Sequence, residues 1–363
     1  MRIAIVGTGG IAGVHAAAVP ALGEGARIVA AVDVDAGRLD AFAATWDVPE
    51  RYTRVEDLLE RSECDVVHLC SPPGLHRDQA VAVLDRGWSV MCEKPPALSL
   101  REFDEIAAAE ARSAGSFGTV SQHRFGARAV ALREAIARDD FGPLHLALCN
   151  TLWFRPDSYF AAPWRGTWES EGGGPTMGHG IHQMDLMLSL AGPWESVRAT
   201  AGRKARPTQT EDFSTAVVTL ASGATLVIVN SLLSARETSY LRFDLACGTV
   251  ELEHLYGYGD DSWRFTPAPG GPDAESRWNA LPPGAPSGHS AQFAAAAEAL
   301  RSGAPMPVTT AQARPTLELI AAVYASAFTG REVARGELTE GSPFYSSMGG
   351  HRAPWLATEG TAR

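Results

Sequence analysis

Short apolar runs alternate with helix-length stretches through the first ~120 residues of the chain, the pattern of a parallel α/β sheet. Arg2–Val6, Arg27–Val32, Asp65–Cys70 and Trp88–Cys92 read as strands. Ile11–Leu22, His76–Arg86 and Ser99–Ser113 read as helices between them, and Thr119–Gln122 closes the series. After about residue 145 the texture changes. Ser196–Ala201, Ser214–Leu220, Ala224–Leu232, Leu241–Ala246 and Thr249–Glu253 are closely spaced strand-like runs, with Gly223 and Gly248 marking turns. That pattern predicts an antiparallel sheet in an α+β domain. Pro267–Pro286, rich in proline and glycine, reads as a loop; Ser290–Arg301 and Thr309–Thr329 read as helices. The last thirty residues show no periodicity, and there is no internal repeat.

Length and composition sharpen this picture. The 363 residues suit two domains, at a prior of ~150 residues each. The expected division is 1–124, 125–340 with closing helices at about 290–330, and a tail at 341–363. With 45% apolar and 20% charged residues the chain is globular in composition. A net charge of −11 repels phosphate backbones and anionic membranes, so no nucleic-acid or membrane partner is expected. The most apolar later stretch, Ala224–Leu233, is far short of the ~20 residues that span a bilayer. The start of the chain lacks a signal-peptide apolar region. Five cysteines, never spaced as CxxC, point to reduced thiols and a cytoplasmic setting, and no metal-ligand spacing occurs, so no metal is expected. Of 31 basic residues only Lys94 and Lys204 are lysine. An ammonium whose pKa falls readily on burial suits proton chemistry, which singles out Lys94; Lys204 sits in a loop-like Gly-Arg-Lys-Ala-Arg segment.

Gly7-Thr8-Gly9-Gly10-Ile11-Ala12 follows the first strand and opens a helix, the setting a dinucleotide fingerprint requires. Gly7 suits the tight turn, Gly9 lets a pyrophosphate approach the backbone, and the helix N-terminus offers free N–H groups. Asp33 ends the second strand, 24 residues after Gly9, where a carboxylate would hydrogen-bond the adenosine ribose. Ser71-Pro72-Pro73-Gly74-Leu75-His76 and Glu93-Lys94-Pro95-Pro96 both leave strands at the carboxyl end, where open α/β sheets bind ligands.

The order GTGGIA, SPPGLH, CEKPPA resembles the Gfo/Idh/MocA oxidoreductase family, which acts mainly on sugars and cyclic polyols. Gln122-His123-Arg124 looks like the family's strand after the EKP helix. Trp164-Arg165-Gly166 and Gly172–His182 look like its second-domain site, so the resemblance covers nearly the whole chain. It implies an N-terminal Rossmann domain plus an α+β C-terminal domain with an open, mainly antiparallel sheet. NAD, in preference to NADP, would lie along Gly7, Gly9, Gly10, Ile11, Asp33, Arg38, Ser71, Pro72, Pro73, His76, Glu93, Lys94 and Gln122, with Trp164 and Arg165 beside it. Lys94 and His182 correspond to the catalytic lysine and histidine, and Arg124, Trp153, His179 and Asp185 are candidate substrate residues. The implied function is NAD-dependent oxidoreduction at a secondary hydroxyl, or the matching ketone, of a sugar, sugar derivative or inositol-like polyol. A non-catalytic nucleotide-binding regulator and an NAD-recycling glycoside-cleaving enzyme are the alternatives. A homodimer or homotetramer through the C-terminal sheet is also implied. One departure stands out: Gly178 lies four residues before His182, where many members carry aspartate. Asp185, one turn after His182, is the expected substitute as orienter of the ring.

Overall fold

The computed structural model describes residues 1–162, 164–269, 272–351 and 353–358. These form two compact units, Met1–Gln122 with His289–Arg314, and His123–Gly288 with Pro315–Arg363. The helices that the sequence reading grouped with the second domain are thus shared between the two.

The first unit holds six parallel strands: β1 (Arg2–Val6), β2 (Arg27–Val32), β3 (Glu50–Tyr52), β4 (Val66–Leu69), β5 (Ser89–Cys92) and β6 (Phe117–Thr119). Their order is β3-β2-β1-β4-β5-β6, the doubly wound order with its switch point between β1 and β4. Ile3, Ala4 and Ile5 have no exposed surface, because a parallel sheet is covered on both faces and its strands need no polar side. Register decides the function of this unit. Val6 pairs with both Val32 and Leu69, Leu69 with Cys92, and Cys92 with Thr119. The next residues, Gly7, Asp33, Cys70 and Glu93, therefore leave the sheet along one edge. Helix His289–Ser302 packs onto this unit, where Phe293, Ala296 and Ala297 join Ile3, Ile5 and Ala16 in one core. Between Val32 and Asp65 the sequence reading gave bounds to no element and named only a helix carrying Arg38; helix Ala36–Trp46, β3 and helix Val55–Arg61 lie there. Gln122-His123-Arg124, read as part of a strand, lies in a 3₁₀ turn, Gln122–Phe125.

The second unit is an eight-stranded sheet: β7 (Leu144–Phe154), β8 (Trp194–Gly202), β9 (Phe213–Leu220), β10 (Thr225–Ser231), β11 (Leu233–Leu245), β12 (Gly248–His254), β13 (Trp263–Pro267) and β14 (Val333–Ala334). The order is β13-β12-β11-β7-β10-β9-β8-β14, antiparallel except for the β7–β10 pair. Ser214, Ala216, Val218 and Leu220 of β9 are buried while Val217 between them is 53% exposed, so one face is covered and the other open. Helix Gly180–Ala191 packs on β7 and β11 of this sheet. Pro267–Pro286, expected to be a loop, contains helix Pro272–Asn279; a proline at the first helical position needs no N–H there, so it starts the helix rather than breaking it. The aperiodic tail forms two short helices, Pro343–Ser346 and Pro354–Thr358, and residues 359–363 lie outside the described residues. Among the described residues no helix is long and apolar enough to cross a membrane.

Candidate active site

The cradle on the first unit is built from the edge that the strand register lines up. Gly7 adopts φ +86°, and a Cβ on it would fall 2.7 Å from the Ser71 backbone nitrogen. Only glycine fits both constraints. Gly9 caps helix Gly10–Ala18 in an extended conformation, and a Cβ on Gly9 or Gly10 would meet nothing within 4 Å. The space beside these two residues is thus open at the start of the helix, where an anion site needs room. Ala12, by contrast, is wholly buried. Asp33 gives Oδ2 to the Thr8 backbone N–H (2.8 Å) and hydroxyl (2.9 Å), and Oδ1 to the Asp35 N–H (2.9 Å) and Arg38 (3.1 Å). Burial alone would raise this carboxyl, but those donors outweigh it and hold it below the usual carboxylate range. A cavity of about 490 Å³ lies over this edge, lined by Gly7, Asp33, Arg38, Ser71 and Pro72, together with Val34, which sequence reasoning missed.

The two loops that follow β4 and β5 are tied from beneath. The Ser71 hydroxyl donates to Gln79 Oε1 at 2.5 Å, and Pro73–Leu75 forms a 3₁₀ turn. His76 is fully buried, its ring nitrogens 2.9 Å from the carbonyl oxygens of Ser71 and of Pro95. Its part is to join the loops rather than to present a side chain to a ligand. Glu93 is also buried; its Oε1 accepts from His15 Nε2 (2.9 Å) and His289 Nε2 (3.1 Å), and its Oε2 from the Lys94 backbone N–H (3.1 Å). Desolvation opposes the charge, yet the two imidazoles hold Glu93 well below the ordinary carboxyl value. His15, Glu93 and His289 bring three ligand-type atoms within 4.8 Å of one another, a set that could take a metal ion. No spacing rule finds it, because the three come from residues 15, 93 and 289. Lys94 itself is half-buried, and Gln122 carries a buried Oε1 with no hydrogen-bond partner among the described residues.

In the second unit His182 starts helix Gly180–Ala191 near its N-terminus, and its ring stacks on that of His123, centroids 5.1 Å apart and tilted by 21°. His123 Nε2 lies 2.8 Å from the Tyr256 carbonyl, Gln183 Nε2 lies 3.4 Å from His123 Nδ1, and His254 Nε2 lies 3.3 Å from Gln183 Oε1. The carbonyl at Tyr256 must accept, so His123 carries its proton on Nε2 and takes the Gln183 N–H on Nδ1. Sequence reasoning placed His123 only in a strand and missed this platform. Asp185, expected to orient His182, gives both oxygens to the Arg124 fork and accepts the Thr316 hydroxyl at 3.1 Å. A planar guanidinium matches a carboxylate edge in a way that imidazole does not, so Arg124 and Asp185 form a buried pair. Trp153 is 5% exposed and stands edge-on to His179, centroids 5.0 Å apart, so it acts as the wall behind that ring. Arg165 stacks over Tyr159 (3.9 Å) and Trp164 (4.2 Å) and pairs with Glu171 (3.3 Å). In the glycine run a Cβ at Gly174 would sit 1.9 Å from the Glu211 carbonyl oxygen, so close packing explains that glycine. At Gly178 a Cβ would meet nothing within 4 Å.

The model of the oxidoreductase family's NAD-binding Rossmann fold matches residues 1–119, and the model of the Gfo/Idh/MocA C-terminal domain matches 129–251. The chain belongs to the Gfo/Idh/MocA oxidoreductase family. Among curated members it is 27% identical over 201 residues to the D-glucoside 3-dehydrogenase of Escherichia coli (strain K12), which covers 53% of this chain and 54% of that protein. It is 29% identical over 258 residues to the putative UDP-kanosamine synthase oxidoreductase subunit of Amycolatopsis mediterranei (strain S699), covering 64% and 69%. The chain thus spans about half the length of the first relative and somewhat more of the second. The WlbA dehydrogenase from Bordetella pertussis, solved in complex with NADH and UDP-GlcNAcA, superposes with a TM-score of 0.82 at 27% identity over 92% of this chain and 98% of that one.

This Gfo/Idh/MocA member carries the features an NAD-binding Rossmann domain needs. The open space beside Gly9 and Gly10, the Asp33 carboxylate at the cavity wall and the buried acceptor of Gln122 are compatible with such a dinucleotide.

Proposed function

We propose that the protein oxidises a secondary hydroxyl of a sugar or sugar derivative, or reduces the corresponding ketone. The observation that carries this reading is the row of Gly7, Asp33, Cys70 and Glu93 along one sheet edge, which puts Lys94 beside a dinucleotide cradle. When bound, NAD(H) supplies the acceptor or donor of hydride. In this reading His182 takes the hydroxyl proton, since imidazole alone has an ordinary pKa near neutrality. The Lys94 ammonium stabilises the oxygen that becomes an alkoxide. His179, backed by Trp153, and the stacked Trp164–Arg165 pair offer flat and polar surface to a sugar ring. The Arg124–Asp185 pair braces helix Gly180–Ala191 beneath His182. The class of substrate follows relatives whose names record action on D-glucosides and 1,5-anhydro-D-fructose. The open sheet face, with Leu146 38% and Val217 53% exposed, suits self-association in this reading.

The test is a panel of sugars, glycosides, nucleotide sugars and inositols, followed by nicotinamide absorbance. Lys94→Ala should lower turnover on any hit by about two decades or more while NADH still binds. No turnover on any member of the panel, or a fully active Lys94→Ala, would defeat the reading.

A further inference from the structure

We propose that His289 and His15 are positioning residues that act through the Glu93 carboxylate to hold Lys94. The observation is the division of labour on one buried side chain. Both imidazoles lie on Oε1, at 2.9 and 3.1 Å, and the Lys94 N–H lies on Oε2 at 3.1 Å. An ionised carboxylate accepts only, so each imidazole nitrogen facing it is an N–H donor. His15 Nδ1 in turn lies 3.0 Å from His68 Nδ1, which extends the chain of bonds to β4. Phe293 seals the cluster, its ring 4.8 Å from both His15 and His68 and 5.6 Å from His289.

A fully buried carboxylate keeps its charge only when donors replace its water. The other titratable groups facing this one, His68, His76, Cys70 and Cys92, offer little compensation, because burial keeps the histidines toward neutrality and the thiols protonated. His15 and His289 are therefore what keep Glu93 ionised, and an ionised Glu93 is what grips the backbone of Lys94. His289 comes from the start of helix His289–Ser302, so a segment distant in sequence sets the geometry of the Glu93-Lys94 step. The inference gives the proposed reaction a positioning network, and it rests on that reading only for its consequence in turnover.

Because Lys94 and Lys204 are the only lysines in the chain, protein labelled with ¹⁵N-lysine gives two amide cross-peaks and no others. Lys204 is a built-in reference, its N–H held by Asp212 at 2.9 Å. In His289→Ala the Lys94 cross-peak should move and its amide exchange should speed up by about ten-fold, the loss of a charge-assisted bond. The Lys204 peak and NADH affinity should stay as they are. His289→Gln, which restores an N–H donor, should return the Lys94 peak toward its place. Glu93→Gln, which keeps the shape without the charge, should also move the peak. An unmoved Lys94 peak in His289→Ala overturns the proposal. So does a peak that responds only to added zinc and reverts with chelator, since the trio would then be a metal site. Turnover plays no part in these readouts, so an inactive panel would defeat the proposed function and leave this inference standing.

Discussion

Gly7→Ala and Gly9→Ala separate what the glycine-rich turn does for the fold from what it does for the ligand. At Gly7 the backbone has φ +86°, and placing an alanine there costs about 1–2 kcal/mol. The added Cβ also falls 2.7 Å from Ser71 N and 2.8 Å from Cys70 C. Both are backbone atoms of the β4 edge, so no side chain can swing away, and overpacking of this kind costs about 1–3 kcal/mol. The sum is about 2–5 kcal/mol, which at ~2–4 °C per kcal/mol is a clear loss of thermal midpoint. At Gly9 the same methyl meets nothing within 4 Å. Stability should therefore stay within about 0.5 kcal/mol of the parent. NADH affinity should instead fall by about ten-fold or more, roughly 1.4 kcal/mol, because the methyl enters the pyrophosphate space. The assay pairs thermal and urea unfolding with NADH fluorescence titration for all three proteins. A Gly7→Ala protein as stable as the parent would refute the steric argument. Unchanged NADH affinity in Gly9→Ala would show that the phosphates do not pass over that residue.

Two further predictions concern charge. NADH should bind more tightly than NADPH, since the ionised Asp33 at the cavity wall repels a 2′-phosphate; Asp33→Ser, which frees Arg38 from its 3.1 Å pairing, should narrow the gap in Kd. NADPH bound as tightly as NADH by the parent protein would contradict this. Burial, with His123 beside it, lowers His254 from 6.5 to about 3. The unfolded chain therefore binds the extra proton, and this contribution is full above about pH 6.5 and declines as pH falls toward 3. His254→Asn should flatten the dependence of thermal midpoint on pH below about 6.5; an unchanged slope would mean that His254 does not titrate between the two states.

How much of this was legible in the chain depends on the range of each interaction. The places of Gly7, Gly9, Asp33 and Glu93-Lys94 at or just past strand ends could be read directly, because strand ends follow from local sequence pattern. β1 and β2 were found to the residue, since Ile3–Val6 and Ile28–Val32 are unbroken apolar runs. β7 escaped notice although it lies mid-sheet between β11 and β10. It buries Ala147, Cys149, Thr151 and Trp153 on one parity, but Leu146 and Leu148 on the other parity are apolar too, and the two-residue period is lost.

The rest was set by tertiary structure, where residues far apart in the chain compete for one partner. Spacing placed Asp185 one turn from His182, yet its oxygens go to Arg124, whose guanidinium is the better geometric match. His76 stands in a ligand-loop motif, yet its ring is buried under the loop, its nitrogens 2.9 Å from two carbonyl oxygens. Nothing local ties His15 or His289 to Glu93. Sequence by itself determined where the dinucleotide fingerprint and the Glu93-Lys94 step lie, because both are short-range chemistry on a strand end. Only the tertiary structure decided which side chains surround that step, because a buried carboxylate takes its donors from whichever helices the core brings against it.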